Sequence, residues 1–371
     1  MCRNVCSSNA RPMSAQTNET SSSSVPVSRD MFLAQFTQLS NDLSHDQDTP
    51  DLHPLLSAHL SDLLHYTVLG GKMNRGLSVP HTYSLLAPHS SQRELDLASL
   101  LGWTVELLQA FFLVADDIMD GSVTRRGQPC WYHRTGGVTA FNDSLILETC
   151  VYSIIRHHFR SEPCYLPLLE NMLEVTKFTT YGQSLDTISA NNFTQVRGQE
   201  GSLDAFTMDR YTAIVKYKTS FYSFYLPVVL AMNMAGFTDQ KLYDNAREIL
   251  LEIGHYFQVT DDYLDCYGDP AVIGKIGTDI QDGKCSWLIV KALESATDED
   301  KKILAQYYGS HSEEHISIIK NIYNKLNIEK QFRDYEQRFH EDVIMKINNI
   351  DSGFPKEVFI EFLNKVYKRN V

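Results

Sequence analysis

LLQAFFLVADDIMD, residues 107–120, decides how this chain folds. Leu107 to Ala115, apolar except for Gln109, runs straight into Asp116-Asp117-Ile118-Met119-Asp120. A second stretch repeats the arrangement: Ile249 to Val259 leads into Asp261-Asp262-Tyr263-Leu264-Asp265. Both acidic boxes read DDxxD. On a helix the first and last aspartates of each are i and i+4 and share a face. Carboxylates at the end of a core helix are costly to desolvate unless a cation compensates them. A solvated acidic helix face is the bland alternative for either box alone. Two boxes of one spacing, both continuing apolar runs, favour a built site.

Working outward, the rest of the chain keeps helical spacing. Met31, Phe32, Ala34, Phe36 and Leu39 open the pattern, and Leu55–Val68, Leu95–Ala115, Ser144–Phe159, Tyr165–Leu185, Tyr211–Met234, Asp244–Asp261 and Cys285–Leu293 continue it. Breakers fall between them at Gly70-Gly71, Gly136-Gly137, Asn191-Asn192, Gly236, Gly268-Asp269-Pro270 and Gly283. No hairpin-type alternation, GxGxxG or P-loop competes. The expected fold is all-α, a large helical bundle around a central cavity, formed by one domain over residues 31–371. Residues 1–30 are rich in Ser, Thr and Asn and read as a disordered leader. A transit peptide is the alternative, because Arg3 and Arg11 precede any acidic residue.

The net charge of −13 argues against a nucleic-acid partner, which needs basic surface. No uninterrupted apolar run approaches the ~18 residues of a membrane span, so no transmembrane segment is expected. The seven cysteines show no CxxC or Cys/His metal spacing. They suit a reduced compartment, the cytoplasm, or the mitochondrion if the leader is a presequence.

Two opposed carboxylate faces suit hard divalent cations, and Mg²⁺ takes one or two carboxylates together with substrate phosphates and water. The residues therefore point to a binuclear or trinuclear magnesium site for a diphosphate. Such a site also needs cations. Gly70-Gly71-Lys72-Met73-Asn74-Arg75-Gly76 places Lys72 and Arg75 at a turn that can open a helix, where free N–H groups also favour anions. Arg125 and Arg126 follow the first box and can grip oxygens bidentately; a structural salt bridge to Asp116–Asp120 is their plainer role. Lys218 sits in an aromatic stretch, Lys216–Tyr225, where a lysine needs an anion. Lys275 and Lys284 flank Gly277–Asp282, and the chain ends in a basic tail, Lys368-Arg369.

These segments together resemble the short-chain all-trans isoprenyl diphosphate synthases, and among them farnesyl diphosphate synthases of the animal and fungal type. The resemblance spans residues 31–371. It rests on GGKMNRG at 70–76, LLQAFFLVADDIMDGSVTRRGQ at 107–128, GQSLD at 182–186, KYKTSFYSFYLP at 216–227, and FQVTDDYLD with GKIGTDIQDGKCSW within 257–287. It implies the isoprenoid synthase type of helical bundle, a homodimer, and three Mg²⁺ per active site. It also implies condensation of an allylic diphosphate, dimethylallyl or geranyl, with isopentenyl diphosphate to give farnesyl diphosphate. By the same resemblance Asp116, Asp117, Asp120 and Asp261 ligate metal, with Asp186, Asp265 and Asp262 as further candidates, Asp262 through water. Arg125, Lys218 and Lys275 hold the allylic diphosphate; Lys72, Arg75 and Arg126, with Gln109 nearby, hold isopentenyl diphosphate; Gln183 and Lys284 are further substrate-binding residues. Lys218, Thr219 and Gln258 stabilise the carbocation. Phe111 and Phe112, five and four residues before Asp116, lie about one turn, ~5.4 Å, deeper and are expected to floor the cavity and limit the product to fifteen carbons.

Four departures stand out: Thr260 where glutamine is usual, Thr180-Tyr181 before the GQ pair, Pro80 inside a helix, and a less basic tail. Thr260 and Tyr181 are expected to line the cavity, and Pro80 to kink or end its helix. The departures keep a rival reading alive, a terpene synthase derived from this scaffold that acts without condensation. A geranyl diphosphate synthase is a further variant. The intact set Lys72, Arg75, Gln109, Arg126 and Gln258 favours condensation.

Overall fold

The computed structural model describes residues 27–45, 48–199, 201–269, 277–350 and 353–367. Over these the chain is helical almost throughout: α1 (Arg29–Ser44), α2 (Pro54–Thr67), α3 (Asn74–Leu86), α4 (Gln92–Asp120), α5 (Trp131–Thr135), α6 (Gly137–Phe159), α7 (Tyr165–Val196), α8 (Met208–Val215), a π-helix (Lys216–Tyr225), α9 (Leu226–Met234), α10 (Gln240–Tyr267), α11 (Trp287–Ser295), α12 (Asp298–Tyr307), α13 (Glu313–Lys325), α14 (Ile328–Asn348) and α15 (Glu357–Val366). The expected all-α class holds. Most of residues 1–30 and the basic tail from Lys368 onward lie outside the described residues. The helical domain starts at Arg29, with Ser28 accepting from Met31 N–H as its N-cap, two residues before the expected boundary.

The helix carrying the first box is built to be long. Ser91 and Glu94 form a reciprocal capping box at its start, and Gly121, with φ 65°, closes it in the left-handed conformation. Its 29 residues make a rod of about 43 Å at 1.5 Å per residue. Both α4 and α6 are long and apolar enough, by length and composition, to cross a membrane. The expectation from uninterrupted runs missed this, because scattered polar residues such as Gln109 break the runs without lowering the average. Two-thirds of the most apolar window of α4 is buried inside the protein, which accounts for its composition as a core helix.

The α3–α4 crossing explains Pro80. Instead of ending α3, Pro80 sits buried inside it, and the helix continues for six more residues to Leu86. A proline has no N–H to offer the carbonyl four residues back, here that of Gly76. That oxygen packs against Gly102 of α4: a Cβ on Gly102 would lie 2.4 Å from it. The close approach takes up the space a side chain at Gly102 would need. Phe32 of α1 closes the same spot and stacks on Trp103 at 4.2 Å between centroids.

Helix α7 runs through Asn191-Asn192, expected to be a breaker, to Val196. A two-residue hairpin, Thr124–Arg125 (β1) against Gln128–Pro129 (β2), follows the first box. Its connecting residues Arg126 and Gly127 both have positive φ, 54° and 76°, as a tight hairpin turn requires.

Gly102→Ala is expected to lower unfolding free energy by about 1–3 kcal/mol through forced overlap with Gly76. The readout is a lower urea midpoint. Gly137→Ala, where no atom lies within 4 Å of the added Cβ, should leave the midpoint unchanged or higher.

Candidate active site

The site grows from the C-terminal end of α4. Asp116 accepts from Gln183 Nε2 of α7 at 2.7 Å and lies 3.7 Å from Lys218 Nζ. Lys218 in turn sits 2.6 Å from Asp186 Oδ2. Lys284 reaches both boundaries of the cluster, 3.2 Å from Asp120 Oδ1 and 3.4 Å from Asp186 Oδ2. Thus three carboxylates and two ammonium groups, drawn from α4, α7, the π-helix and the 277–286 segment, share one partly buried patch. The structure brings together Asp116, Asp120, Asp186, Gln183, Lys218 and Lys284, all named from sequence.

The charges act on one another as their proximity requires. Burial would raise the Asp186 carboxyl, but Lys218 and Lys284 outweigh it and hold the group below its ordinary range. Burial would likewise lower Lys218, and Asp186 and Asp116 push it above the usual lysine range instead. Asp120 moves the other way: burial and the nearby Asp116 charge raise it, against the pull of Lys284. Asp120 is therefore crowded by like charge.

A divalent cation would relieve that crowding. The donors are hard carboxylate oxygens, the type magnesium prefers. Among the described residues no three His, Cys, Asp or Glu side chains gather into a complete metal cage. Magnesium ordinarily completes its coordination with substrate phosphates and water. Of the carboxylates gathered here, Asp116 and Asp120 are the ones that could hold it.

Not all six box aspartates are equally available. Asp117 is buried and accepts from Arg125 Nε at 3.0 Å and also from its Nη2. Arg125 thus takes the structural salt bridge, with Asp116 Oδ2 3.9 Å away. Asp262 is buried too, accepting from Gln258 Nε2 at 2.9 Å and from Trp287 N–H at 2.8 Å, in the first turn of α11. Burial raises its carboxyl to about 7. Asp265 accepts from the Thr278 and Asp279 amides at 3.3 and 3.0 Å and so folds back the segment after the second box. Lys275 lies outside the described residues.

The π-helix sets the position of Lys218 and Thr219. Its hydrogen bonds run over five residues, as from Leu226 N–H to Phe221 O, and such widened turns recur at functional sites. Two glycines make room for it. A Cβ on Gly182 of α7 would lie 2.0 Å from Lys218 N, and one on Gly254 of α10 would lie 2.6 Å from the Ser220 side chain. Thr219 Oγ1 donates to Gln258 Oε1 at 3.1 Å, extending a chain through Gln258 to Asp262. Nothing in the sequence announced the π-helix, because its residues also satisfy ordinary helical spacing.

The other basic residues form a separate group. Arg126 Nη1 donates to the carbonyls of Thr67, Val68 and Leu69 at 3.2, 2.9 and 2.8 Å, closing the C-terminus of α2. Its guanidinium covers Gly71, where a Cβ would meet it at 2.9 Å. Arg75 bonds Ser223 Oγ at 2.8 Å and lies over the Tyr222 ring at 4.9 Å. Lys72 is exposed on the turn between them, and Gln109 is half-buried on α4. Phe111 and Phe112 pack ring against ring at 4.5 Å, and Phe112 lies 6.0 Å from Tyr222.

Two residues that depart from the family pattern are placed as follows. Tyr181 is 62% exposed on α7. Thr260 is buried, with its hydroxyl donated to Tyr256 O at 3.0 Å within its own helix. One residue was missed: Glu106, buried on α4, whose Oε1 accepts from Gly76 N–H at 2.7 Å. Its signal was legible, since it is the single charged residue between Asp96 and Asp116.

Comparison with known proteins agrees with this arrangement. A family model described as polyprenyl synthetase matches residues 57–326. A farnesyl diphosphate synthase of Dictyostelium discoideum is 45% identical over 92% of this chain and 90% of its own length. The farnesyl pyrophosphate synthases of Saccharomyces cerevisiae and Homo sapiens are each 44% identical, over 93% and 91% of this chain and 98% and 80% of their own lengths. Among solved structures, a T. brucei farnesyl diphosphate synthase in complex with a bisphosphonate superposes with a TM-score of 0.84 at 32% identity, covering 92% of this chain and 99% of that one. With a family model covering most of its length and relatives this similar, the chain belongs to the polyprenyl synthetase family.

Proposed function

We propose that this chain is a farnesyl diphosphate synthase, condensing dimethylallyl or geranyl diphosphate with isopentenyl diphosphate. The observation that carries the reading is the presence of two distinct cationic groups. One, Lys218 and Lys284, lies among the box carboxylates; the other, Lys72, Arg75 and Arg126, lies around the turn before α3. An enzyme that only ionises a prenyl diphosphate has use for the first group. A second group makes chemical sense where a second diphosphate must be held.

Lys218, Lys284, Arg125 and Gln183 orient the allylic diphosphate, and the raised Lys218 and Lys284 stay charged at neutral pH. Lys275 is assigned the same role. Magnesium, three ions by family resemblance, would neutralise charge on the departing diphosphate. Asp116, Asp120 and Asp261 would hold it, with Asp117, Asp186, Asp262 and Asp265 orienting the residues around them. The allylic C–O bond breaks and its electron pair leaves with diphosphate. Thr219, Gln258 and the Lys218 carbonyl face the resulting carbocation with oxygen dipoles. The double bond of isopentenyl diphosphate, held by Lys72, Arg75, Arg126 and Gln109, attacks that carbon. The released diphosphate then accepts the proton that restores the double bond.

We also assign a homodimer. Val138, Phe141 and Leu145 on α6 (89, 61 and 43% exposed) and Leu166, Leu173 and Ile188 on α7 (58, 50 and 55%) are large apolar side chains open to solvent. Helical spacing places each set on one stripe, and such stripes suit an isologous partner.

Incubated with Mg²⁺ and geranyl diphosphate, the protein should form farnesyl diphosphate only when isopentenyl diphosphate is added, and chelation should abolish the product. Hydrocarbon or alcohol released from farnesyl diphosphate alone would overturn the assignment. The Phe111→Ala, Phe112→Ala double variant should shift the product beyond fifteen carbons, read by chromatography of the dephosphorylated alcohols. Phe141→Glu should convert the dimer to monomer in sedimentation while helical circular dichroism is retained.

A further inference from the structure

Helix α3 begins with a problem of unsatisfied donors. Its N-cap residue, Met73, provides no side-chain acceptor and has φ 56°, a left-handed conformation costly for a residue that carries a Cβ. The first-turn amides therefore need an acceptor from elsewhere. The buried carboxylate of Glu106, on α4, provides it through the 2.7 Å bond from Gly76 N–H. The fit is tight: a Cβ on Gly76 would strike Glu106 Cγ at 2.7 Å. Arg126 also holds a left-handed conformation, φ 54°, so two of the three such non-glycine residues among the described residues border this one turn. Backbone strain of this kind persists only where surrounding contacts over-determine it.

The charges agree with the geometry. Burial raises the Glu106 carboxyl, opposed by the Gly76 amide and by the charges of Arg75 and Arg126. Burial lowers Arg126, and Arg125 and Arg75 add to that, while Glu106 is the leading opposing charge. Glu106 is thus the carboxylate that offsets both arginines at the helix start.

We propose that Glu106 is a positioning residue for the second diphosphate: from α4 its carboxylate caps α3, fixes the Gly70–Gly76 turn and so sets Lys72 and Arg75 against Arg126. This rests on the assignment of that cluster to isopentenyl diphosphate. The carboxylate does not touch the reacting atoms. Its effect should therefore appear in the binding of one substrate and not the other.

The test is steady-state kinetics on the full chain for Glu106→Gln and Glu106→Ala, beside Arg75→Ala. Glu106→Gln keeps an acceptor for Gly76 N–H but loses the charge, and its similar size guards against misfolding. Loss of a charge-assisted hydrogen bond that orients a binding group should raise the KM for isopentenyl diphosphate by about tenfold in Glu106→Gln and further in Glu106→Ala. The KM for geranyl diphosphate should stay within about twofold, since its charges lie in the other cluster. In the Arg75→Ala background, Glu106→Gln should add little, because the side chain it positions is gone. Equal rises in both KM values, or a lower melting temperature with neither KM changed, would overturn the proposal. Arg75→Ala and Lys72→Ala leaving the KM for isopentenyl diphosphate unchanged would instead sink the assignment of the cluster, and the role of Glu106 with it.

Discussion

Two half-buried ammonium groups, Lys218 and Lys284, converge on Asp186, and through Asp116 and Asp120 they tie the π-helix and the 277–286 segment to α4 and α7. Each of these charges would be expensive to bury alone, and each is tolerated because the others are there. The arrangement leaves Asp120 crowded by Asp116 while Asp186 is well compensated. The imbalance has chemical value. Under the proposed function, the acidic groups pressed together at one edge of this cationic patch would take metal, and the lysines beside them phosphate. Helix positions, loop closure and binding chemistry are thus set by one electrostatic compromise.

Close backbone approach is the second constraint, and glycines carry it. Gly182 and Gly254 let the widened π-helix lie between α7 and α10, which is how Lys218 reaches Asp186. Gly76 and Gly102 let α3 cross α4 at backbone contact, which brings the Gly70–Gly76 turn within reach of Glu106. In both places an added Cβ would displace a functional side chain along with the packing. Stability and site geometry therefore depend on the same contacts.

Much of this was legible beforehand. The apolar lead-ins to the acidic boxes marked α4 and α10, because helical periodicity and a terminal charge cluster leave few alternatives. Residues with one plausible partner type, such as Lys218 in an aromatic stretch, were also readable. Residues whose role depends on a neighbour distant in sequence were not. Arg126 looked like a phosphate ligand and is also the cap of α2; Asp262 looked like its box neighbours and instead accepts the first amide of α11. Thr260 looked like a cavity residue because its neighbours were, yet its hydroxyl turns back to its own helix. Pro80 looked like a helix end because local rules see the lost hydrogen bond and not the glycine packed across from it.

By itself the sequence determined the all-α class, the two carboxylate faces and the residue types that a diphosphate requires. These follow from periodicity and from the cost of burying charge, which are properties of local chain segments. The tertiary structure alone decided which carboxylate meets which lysine, where the helix widens, and that Glu106 serves α3. Those outcomes depend on distances between segments far apart in the chain, and residue spacing does not encode such distances.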